Sequence, residues 1–387
     1  MIKKIIKSFF ESKSVGSILI LAGTALAMIV SNSSWLQTYN NFLQTYLPLT
    51  IDFLHVEQNL SLHGWINDAL MAVFFLLVGL ELKKEILVGE LSTKVKFSLP
   101  IIAALGGVVF PSLIFLIINI NNPENWSGFA ISSATDIVFA YGIISLFGKK
   151  IPNSIKVFII ALAVLDDLAA IIFIALFYTK NLQVYYLLTA LIPVAGLVFL
   201  NRIKFAEIIP YIILGILLWL MIAKSGVNPT LAGVILAIFI PFKVKNKLVL
   251  EGFAYKIAPM VNLFILPIFA FANSGIRLKN YENLLSPLVL GISLGLFLGK
   301  QLGVVLFSFL AVKFKIAKFP QGANFLQFYG AAIFTGIGFT MSLFIGGLAF
   351  SRNELILDEI KIGVMVGSIF SILYGSLIIF YSNREKK

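Results

Sequence analysis

Apolar residues fall in long blocks separated by short polar stretches, and this pattern repeats from one end of the chain to the other. The blocks run roughly over residues 15–30, 63–87, 97–120, 126–146, 153–178, 183–200, 205–222, 226–240, 255–275, 287–312, 325–350 and 357–381. Most approach the ~20 apolar residues with which a helix crosses a bilayer. The pattern predicts an all-α polytopic membrane protein of twelve transmembrane helices. One polar interval is long: residues 38–62 hold no Lys or Arg, and Leu47-Pro48-Leu49-Thr50-Ile51-Asp52-Phe53-Leu54-His55-Val56 fits a small extracytoplasmic β-hairpin. His55 reads there as a plain loop residue. The other polar intervals are too short for a second domain, so residues 1–387 read as a single integral membrane domain.

Composition strengthens this reading. Hydrophobic residues make up 59% of the chain and charged residues 12%, with a mean hydropathy of +0.98, well away from the ~25% charged typical of soluble domains. There is no cysteine and there are only two histidines, which excludes a disulfide framework and a Cys- or His-rich metal site. The formal charge of +12 raises nucleic acid as a partner, and the loops answer it. With the N-terminus cytoplasmic, loops on that side hold 23 Lys and Arg, those opposite hold 6, and Lys300 alone lies inside a span, accounting for all 30. That asymmetry follows the positive-inside rule and puts both termini in the cytoplasm. The charge is topological, and no nucleic acid is expected. Lys3, Lys4, Lys7 and Lys13 ahead of the apolar run Val15–Val30, with Ala25-Leu26-Ala27 mimicking a cleavage site, imitate a signal peptide. With so many spans behind it, an uncleaved first helix is the expectation.

Against this background, charged residues within spans stand out. Asp166 and Asp167 are adjacent in the fifth span, within Ala-Leu-Ala-Val-Leu-Asp-Asp-Leu-Ala-Ala. Each charge at membrane depth costs about 2.5–3.5 kcal/mol on insertion scales. Neighbouring helix positions point about 100° apart, so the two form no facing dyad, yet both can reach one wet cavity. Repulsion and desolvation both disfavour the doubly charged state. Such a pair can hold protons and release them when a cation arrives. The plainer alternative is two carboxylates neutralised by structural basic partners.

Two further spans are interrupted by polar or small residues. The fourth reads Ser132-Ser133-Ala134-Thr135-Asp136 and the eleventh Thr335-Gly336-Ile337-Gly338-Phe339-Thr340. Backbone freed at membrane depth must be protein-buried or wet, although glycine alone also permits tight helix packing. Spans four and eleven are the middle members of groups 3–5 and 10–12, which start on opposite sides of the membrane. That predicts an inverted repeat with two crossed broken helices. Their facing N-termini want a negative charge and their C-termini a positive one. Asp136 and Lys300 supply these, or Lys300 pairs with an aspartate of span five. Asp68 begins the second span, as an entrance residue or a carboxylate favoured by the helix dipole. Glu81 and Glu85 lie one turn apart at its far end, as a cation funnel or a solvated helix end.

Ala134-Thr135-Asp136-Ile137, Val164-Leu165-Asp166-Asp167-Leu168, Gly299-Lys300 and Phe74-Phe75-Leu76-Leu77-Val78-Gly79-Leu80-Glu81 together resemble the NhaA family of bacterial sodium/proton antiporters, over nearly the whole chain. Inverted-repeat transporters include NhaA itself as a type example. The resemblance implies that Asp166 and Asp167 bind Na+ or Li+ and H+ alternately, with Asp167 the less replaceable. It implies that Lys300 pairs with Asp166 when no sodium is bound, and that Thr135 and Asp136 line the crossing of the broken helices, the second of which breaks at Gly336, Gly338 and Thr340 on the residue reading above. By the same resemblance, Asp68 would mark the outer funnel, and Glu81 and Glu85 the cytoplasmic one. It also implies electrogenic exchange of cytoplasmic sodium for external protons, an inner-membrane location, homodimers through the outside hairpin, and no cofactor.

The chain departs from the family at two places tied to pH response. Asn228-Pro229-Thr230 stands where His-Pro-Thr is common, and Phe253-Ala254-Tyr255 replaces Leu-Glu-His, with Glu251 three residues before Ala254. Other classes fit less well. A sodium-coupled symporter of an organic solute needs a larger polar cavity. An intramembrane aspartyl protease needs aspartates on separate helices, one following Gly-x-Gly, whereas Phe339 follows Gly336-Ile337-Gly338. No catalytic residues are assigned.

Overall fold

The computed structural model describes residues 2–51, 56–89, 94–179, 182–277, 284–350 and 354–382. Helix α1 (Ile2–Ser31) is followed by α2 (Leu36–Gln44), with a bend of 117° between the Val15–Ser31 part and α2. Strands β1 (Tyr46–Ile51) and β2 (Val56–Ser61) pair antiparallel, Tyr46 opposite Ser61 through Ile51 opposite Val56. His55, between them, lies outside the described residues. Then come α3 (Leu62–Val88), α4 (Lys94–Ile118), α5 (Ile137–Leu146) and α6 (Asn153–Phe177). Next are α7 (Val184–Arg202), α8 (Ile209–Ser225), α9 (Leu231–Phe239) and α10 (Val249–Asn273). The chain closes with α11 (Pro287–Lys313), α12 (Phe325–Phe334), α13 (Phe339–Ala349) and α14 (Glu354–Ser382).

Among the described residues, eight helices are long and apolar enough to cross a membrane, or up to ten if each sharply bent pair is one span. The shortfall from twelve has a geometric cause. Helix α8 has 17 residues and α9 only 9, rising about 26 and 14 Å against a hydrocarbon core of about 30 Å. The apolar block at 226–240 is helical over only part of its length. Gly226 ends α8 in the left-handed region at φ 84°. The Asn228 side chain then accepts the Thr230 N–H at 3.0 Å and the Thr230 hydroxyl, a local turn that delays the helix.

The chain divides into two compact units, residues Met1–Lys84 with Ile174–Gly275, and Glu85–Phe173 with Ile276–Lys387. In the first, α9 meets α3 so closely that a Cβ on Gly233 would stand 2.0 Å from the Ala72 carbonyl oxygen. Lys83 Nζ donates to the Ile238 and Ile240 carbonyls, each at 2.6 Å. A cation there meets the negative end of α9. Lys84 pairs with Glu251 at 3.4 Å while both are partly exposed, so the pair adds at most about 1 kcal/mol. Trp65 stacks on Trp219, with ring centroids 5.7 Å apart, and the Tyr39 hydroxyl donates to the Phe271 carbonyl at 2.6 Å.

In the second unit, α11 lies on α4 through glycine and proline. A Cβ on Gly303 would fall 2.0 Å from the Gly106 carbonyl oxygen, and one on Gly299 would fall 2.5 Å from Pro111 Cα. Backbone-to-backbone approach of this kind lets two helices pack without side chains between them. Asn119, fully buried, donates to the Phe115 and Pro287 carbonyls at 3.0 Å each and ties α4 to the start of α11. The fourth and eleventh apolar blocks are each interrupted in the interior of this unit. One is two 3-10 turns (Pro123–Gly128 and Ile131–Ser133) and then α5, the other α12 and then α13.

Candidate functional site

Local chemistry explains why the two segments break where they do. Ser132 and Ser133 donate their hydroxyls to the carbonyls three residues earlier, Phe129 and Ala130, at 3.1 and 2.9 Å. Short polar side chains compete in this way with the helix ladder. Ala134 and Asp136 are extended (ψ 147° and 102°). Asp136 then starts α5 as its N-cap and accepts the Phe139 N–H at 3.0 Å. In the other segment the Thr335 hydroxyl donates to the Ala332 carbonyl at 2.6 Å. The chain then passes through Gly336, where a Cβ would stand 2.3 Å from the Leu296 carbonyl oxygen. Only glycine fits that approach.

The two breaks satisfy each other. The Asp136 backbone N–H donates to the Ile337 carbonyl at 2.7 Å, across the crossing. The Asp136 carboxylate accepts the Thr340 N–H at 3.1 Å and the Thr340 hydroxyl as well. It therefore caps the N-terminal ends of α5 and α13 together, where two positive helix ends converge. Ser342 adds a bond to the Ile131 carbonyl at 2.7 Å. The rings of Phe139 and Phe339, in the first turns of the two helices, pack with centroids 4.9 Å apart.

Beside the crossing stands the second charged group. Lys300 Nζ lies 2.5 Å from Asp166 Oδ2, and Lys300, Asp166, Asp167 and Asp136 are all 2% exposed or less. The ammonium also feels the charge of Asp167. Thr135 Oγ lies 2.7 Å from both Asp166 Oδ2 and the Thr335 carbonyl oxygen, so two acceptors compete for its one hydroxyl proton. Asp166 Oδ1 is buried and has no hydrogen-bond partner among the described residues. A buried carboxylate oxygen left in that state costs free energy, unless a proton or a cation comes to it. Thr135 Oγ, Asp166 Oδ2 and the Thr335 carbonyl form a cluster of hard oxygens of the type that binds small hard cations.

The structure thus brings Thr135, Asp136, Asp166, Lys300 and Thr340 together around the crossing, with Gly336 and Gly338 in its backbone. Of the two partners considered for Lys300, it has the aspartate. The C-terminal end of α12 meets the Thr135 hydroxyl instead. Asp68, Glu81 and Glu85 lie elsewhere, along α3 and partly buried. Asp68 sits in a π turn (Ile66–Leu70), and its backbone carbonyl accepts the Trp219 indole N–H at 3.3 Å. Just ahead of it, His63, Asn67 and Asn273 bond among themselves at 2.9–3.4 Å. Sequence reasoning assigned no role to the Thr335 carbonyl. Backbone ligands leave no residue-type signature, and only the glycines behind it hinted at an open helix end.

The fold and the site define a multi-pass membrane protein with charged groups gathered where two interrupted helices cross. Residues 7–379 match the family described as Na+/H+ antiporter 1. The chain is 45% identical to the Na(+)/H(+) antiporter NhaA of Pelagibacter ubique, covering 99% of both chains. It is 46% identical to that of Shewanella amazonensis, covering 96% of each. Among solved structures, the sodium proton antiporter MjNhaP1 from Methanocaldococcus jannaschii shares the fold, with a TM-score of 0.54 over 99% of this chain and 98% of that one at 15% identity. The chain belongs to the Na+/H+ antiporter 1 family.

The buried pair makes a stability prediction. Removing one partner of such a pair typically costs about 3–5 kcal/mol. Lys300→Ala should lower the unfolding temperature in detergent clearly, and Lys300→Arg should lower it less. Adding Asp166→Asn to Lys300→Ala should recover part of the loss. Three equally stable variants would show that the contact contributes nothing to the fold.

Proposed function

We propose that this protein is a secondary active transporter, and no enzyme, exchanging cytoplasmic Na+ or Li+ for external H+ across a bacterial inner membrane. One observation carries the reading. Asp166 is shared between a lysine ammonium and a threonine hydroxyl on one oxygen and, among the described residues, has no hydrogen-bond partner on the other. An ammonium and a small monovalent cation compete for the same carboxylate, and a proton neutralises it equally well. A site with three mutually exclusive cationic occupants is suited to coupling. Asp167, adjacent and equally buried, is the second carboxylate of the exchange. Asp136 compensates the helix ends while the site changes occupant, and Thr135 supplies a ligand oxygen.

The same reading extends to the whole chain. Residues 1–387 work as one transporter domain of twelve spans, counting the short α8 and α9 and the bent pairs. Groups 3–5 and 10–12 are related as an inverted repeat, and Asp68, Glu81 and Glu85 line the approaches. More protons than sodium ions move per cycle, so exchange is electrogenic. The strands β1 and β2 lie outside and join two copies into a homodimer, and both termini are cytoplasmic.

Orientation is directly testable because the chain has no cysteine of its own. Cysteines introduced at Ser154 and Asn122 should react with impermeant reagents only from the cytoplasmic side and only from outside, respectively; the reverse pattern would invert the topology. The functional reading is tested in everted vesicles with a dye that reports the pH gradient. Asp167→Asn should abolish the sodium-induced response at matched expression, and Asp166→Asn should abolish it or make exchange electroneutral. Near-normal, electrogenic exchange in both would sink the assignment.

A further inference from the structure

Lys300 does not leave a regular helix. The turn directly before it, Gly295–Gly299, is a π turn, and the Lys300 backbone N–H reaches back five residues to the Gly295 carbonyl. A widened turn rotates every side chain after it relative to the helix before it, and such turns recur at functional positions. Here the rotation decides whether Nζ meets Asp166 Oδ2. Gly107 of α4 lies beside the lysine: a Cβ there would stand at ordinary contact distance, 3.7 Å, from Lys300 Nζ.

The next residue, Gln301, is 3% exposed and turns its side chain back onto this turn. Its Nε2 donates to the Phe297 carbonyl, inside the π turn, at 2.7 Å. Its Oε1 accepts the hydroxyl of Tyr329, on α12, at 2.6 Å. Tyr329 in turn meets the Tyr374 side chain on α14. Both ends of the Gln301 amide are therefore held, by the backbone just before Lys300 and by the helix whose last carbonyls meet Thr135. A buried polar network satisfied at both ends fixes geometry more than it adds stability. Around this turn, Asp166 of α6 meets Lys300, Tyr329 of α12 meets Gln301, and the Tyr374 ring of α14 packs against Phe297. Helix α4 presents Gly106, Gly107 and Pro111.

We propose that Gln301 is a positioning residue for ion exchange: through the Phe297 carbonyl it fixes the π turn that aims Lys300 at Asp166, and Tyr329 fixes Gln301. The inference rests on the reading of Lys300 and Asp166 as a pair that sodium must displace. Losing the amide removes its bond to the Phe297 carbonyl and lets the turn relax. The ammonium then holds Asp166 less tightly, and sodium competes with a weaker rival.

The test is a sodium titration of exchange at a fixed alkaline pH, in proteoliposomes with the full chain. Variants are Gln301→Leu, Tyr329→Phe, Lys300→Gln and the double variant Gln301→Leu with Lys300→Gln. Gln301→Leu should lower the apparent KM for sodium about three- to tenfold, the worth of one hydrogen bond, with the maximal rate per folded protein changed much less. Tyr329→Phe, which removes only a hydroxyl and keeps the measurement open if Gln301→Leu folds poorly, should move KM in the same direction by less. In the Lys300→Gln background the Gln301→Leu shift should vanish. A merely structural glutamine would lower the maximal rate or the folded yield, leave KM in place, and act equally with or without Lys300; that result overturns the proposal. If Lys300→Gln leaves the sodium KM unchanged, the displacement reading itself fails, and the inference with it. A KM that falls in Lys300→Gln, but in neither Gln301→Leu nor Tyr329→Phe, overturns the role of Gln301 alone.

Discussion

A helix that stops inside a protein leaves backbone donors and acceptors with no water to satisfy them. This unit stops two helices at one place, and the rest of the site follows from how their ends are satisfied. The ends are answered crosswise. Asp136 takes donors from α5 and α13, and the Ile337 carbonyl takes the Asp136 N–H. Thr135 offers its hydroxyl to the Thr335 carbonyl. One negative charge stabilises two positive helix ends by up to about 2 kcal/mol each in buried geometry. Without it the crossing would have unpaired N–H groups from both segments.

That arrangement sets up the chemistry beside it. Because Thr135 is committed to the crossing and also lies against Asp166, any change at Asp166 is felt by the broken helix ends. A carboxylate that loses its lysine and gains a sodium ion, or a proton, changes what Thr135 can donate to. On the proposed exchange mechanism, the crossing would respond to the site's occupant through Thr135, with no distant relay needed.

Much of this was legible in the sequence, and for identifiable reasons. Charges and hydroxyls inside apolar blocks are so costly that Asp136, Asp166, Asp167 and Lys300 announce themselves without a fold. The Gly336-Ile337-Gly338 stretch marks a break, because Gly336 approaches the Leu296 carbonyl too closely for any side chain. Less could be read where the outcome depends on three-dimensional register. The sequence left Lys300 between two partners, and it is Asp166 that the lysine meets, directly after a π turn that no residue pattern announces. Span counting strained at 226–240, where the apolar run begins only after an Asn-Pro-Thr turn that holds the helix to nine residues. Gln301 carries no signal in the sequence, since its partners are a backbone carbonyl and a tyrosine 28 positions away.

The central claim is that sodium and protons use the same carboxylates. It is tested most directly by titrating exchange with sodium at several pH values, each carried to saturation. Every proton that must leave before sodium binds costs about 1.4 kcal/mol per pH unit on the acid side of its dissociation, so apparent KM should rise about tenfold per unit for one proton and approach about a hundredfold for two. The two aspartates titrate as a coupled pair, so the curve reports the pair. The maximal rate should be recovered at acid pH once sodium is high enough. A maximal rate that collapses at acid pH while KM stays constant would contradict shared carboxylates and require a separate pH-controlled gate.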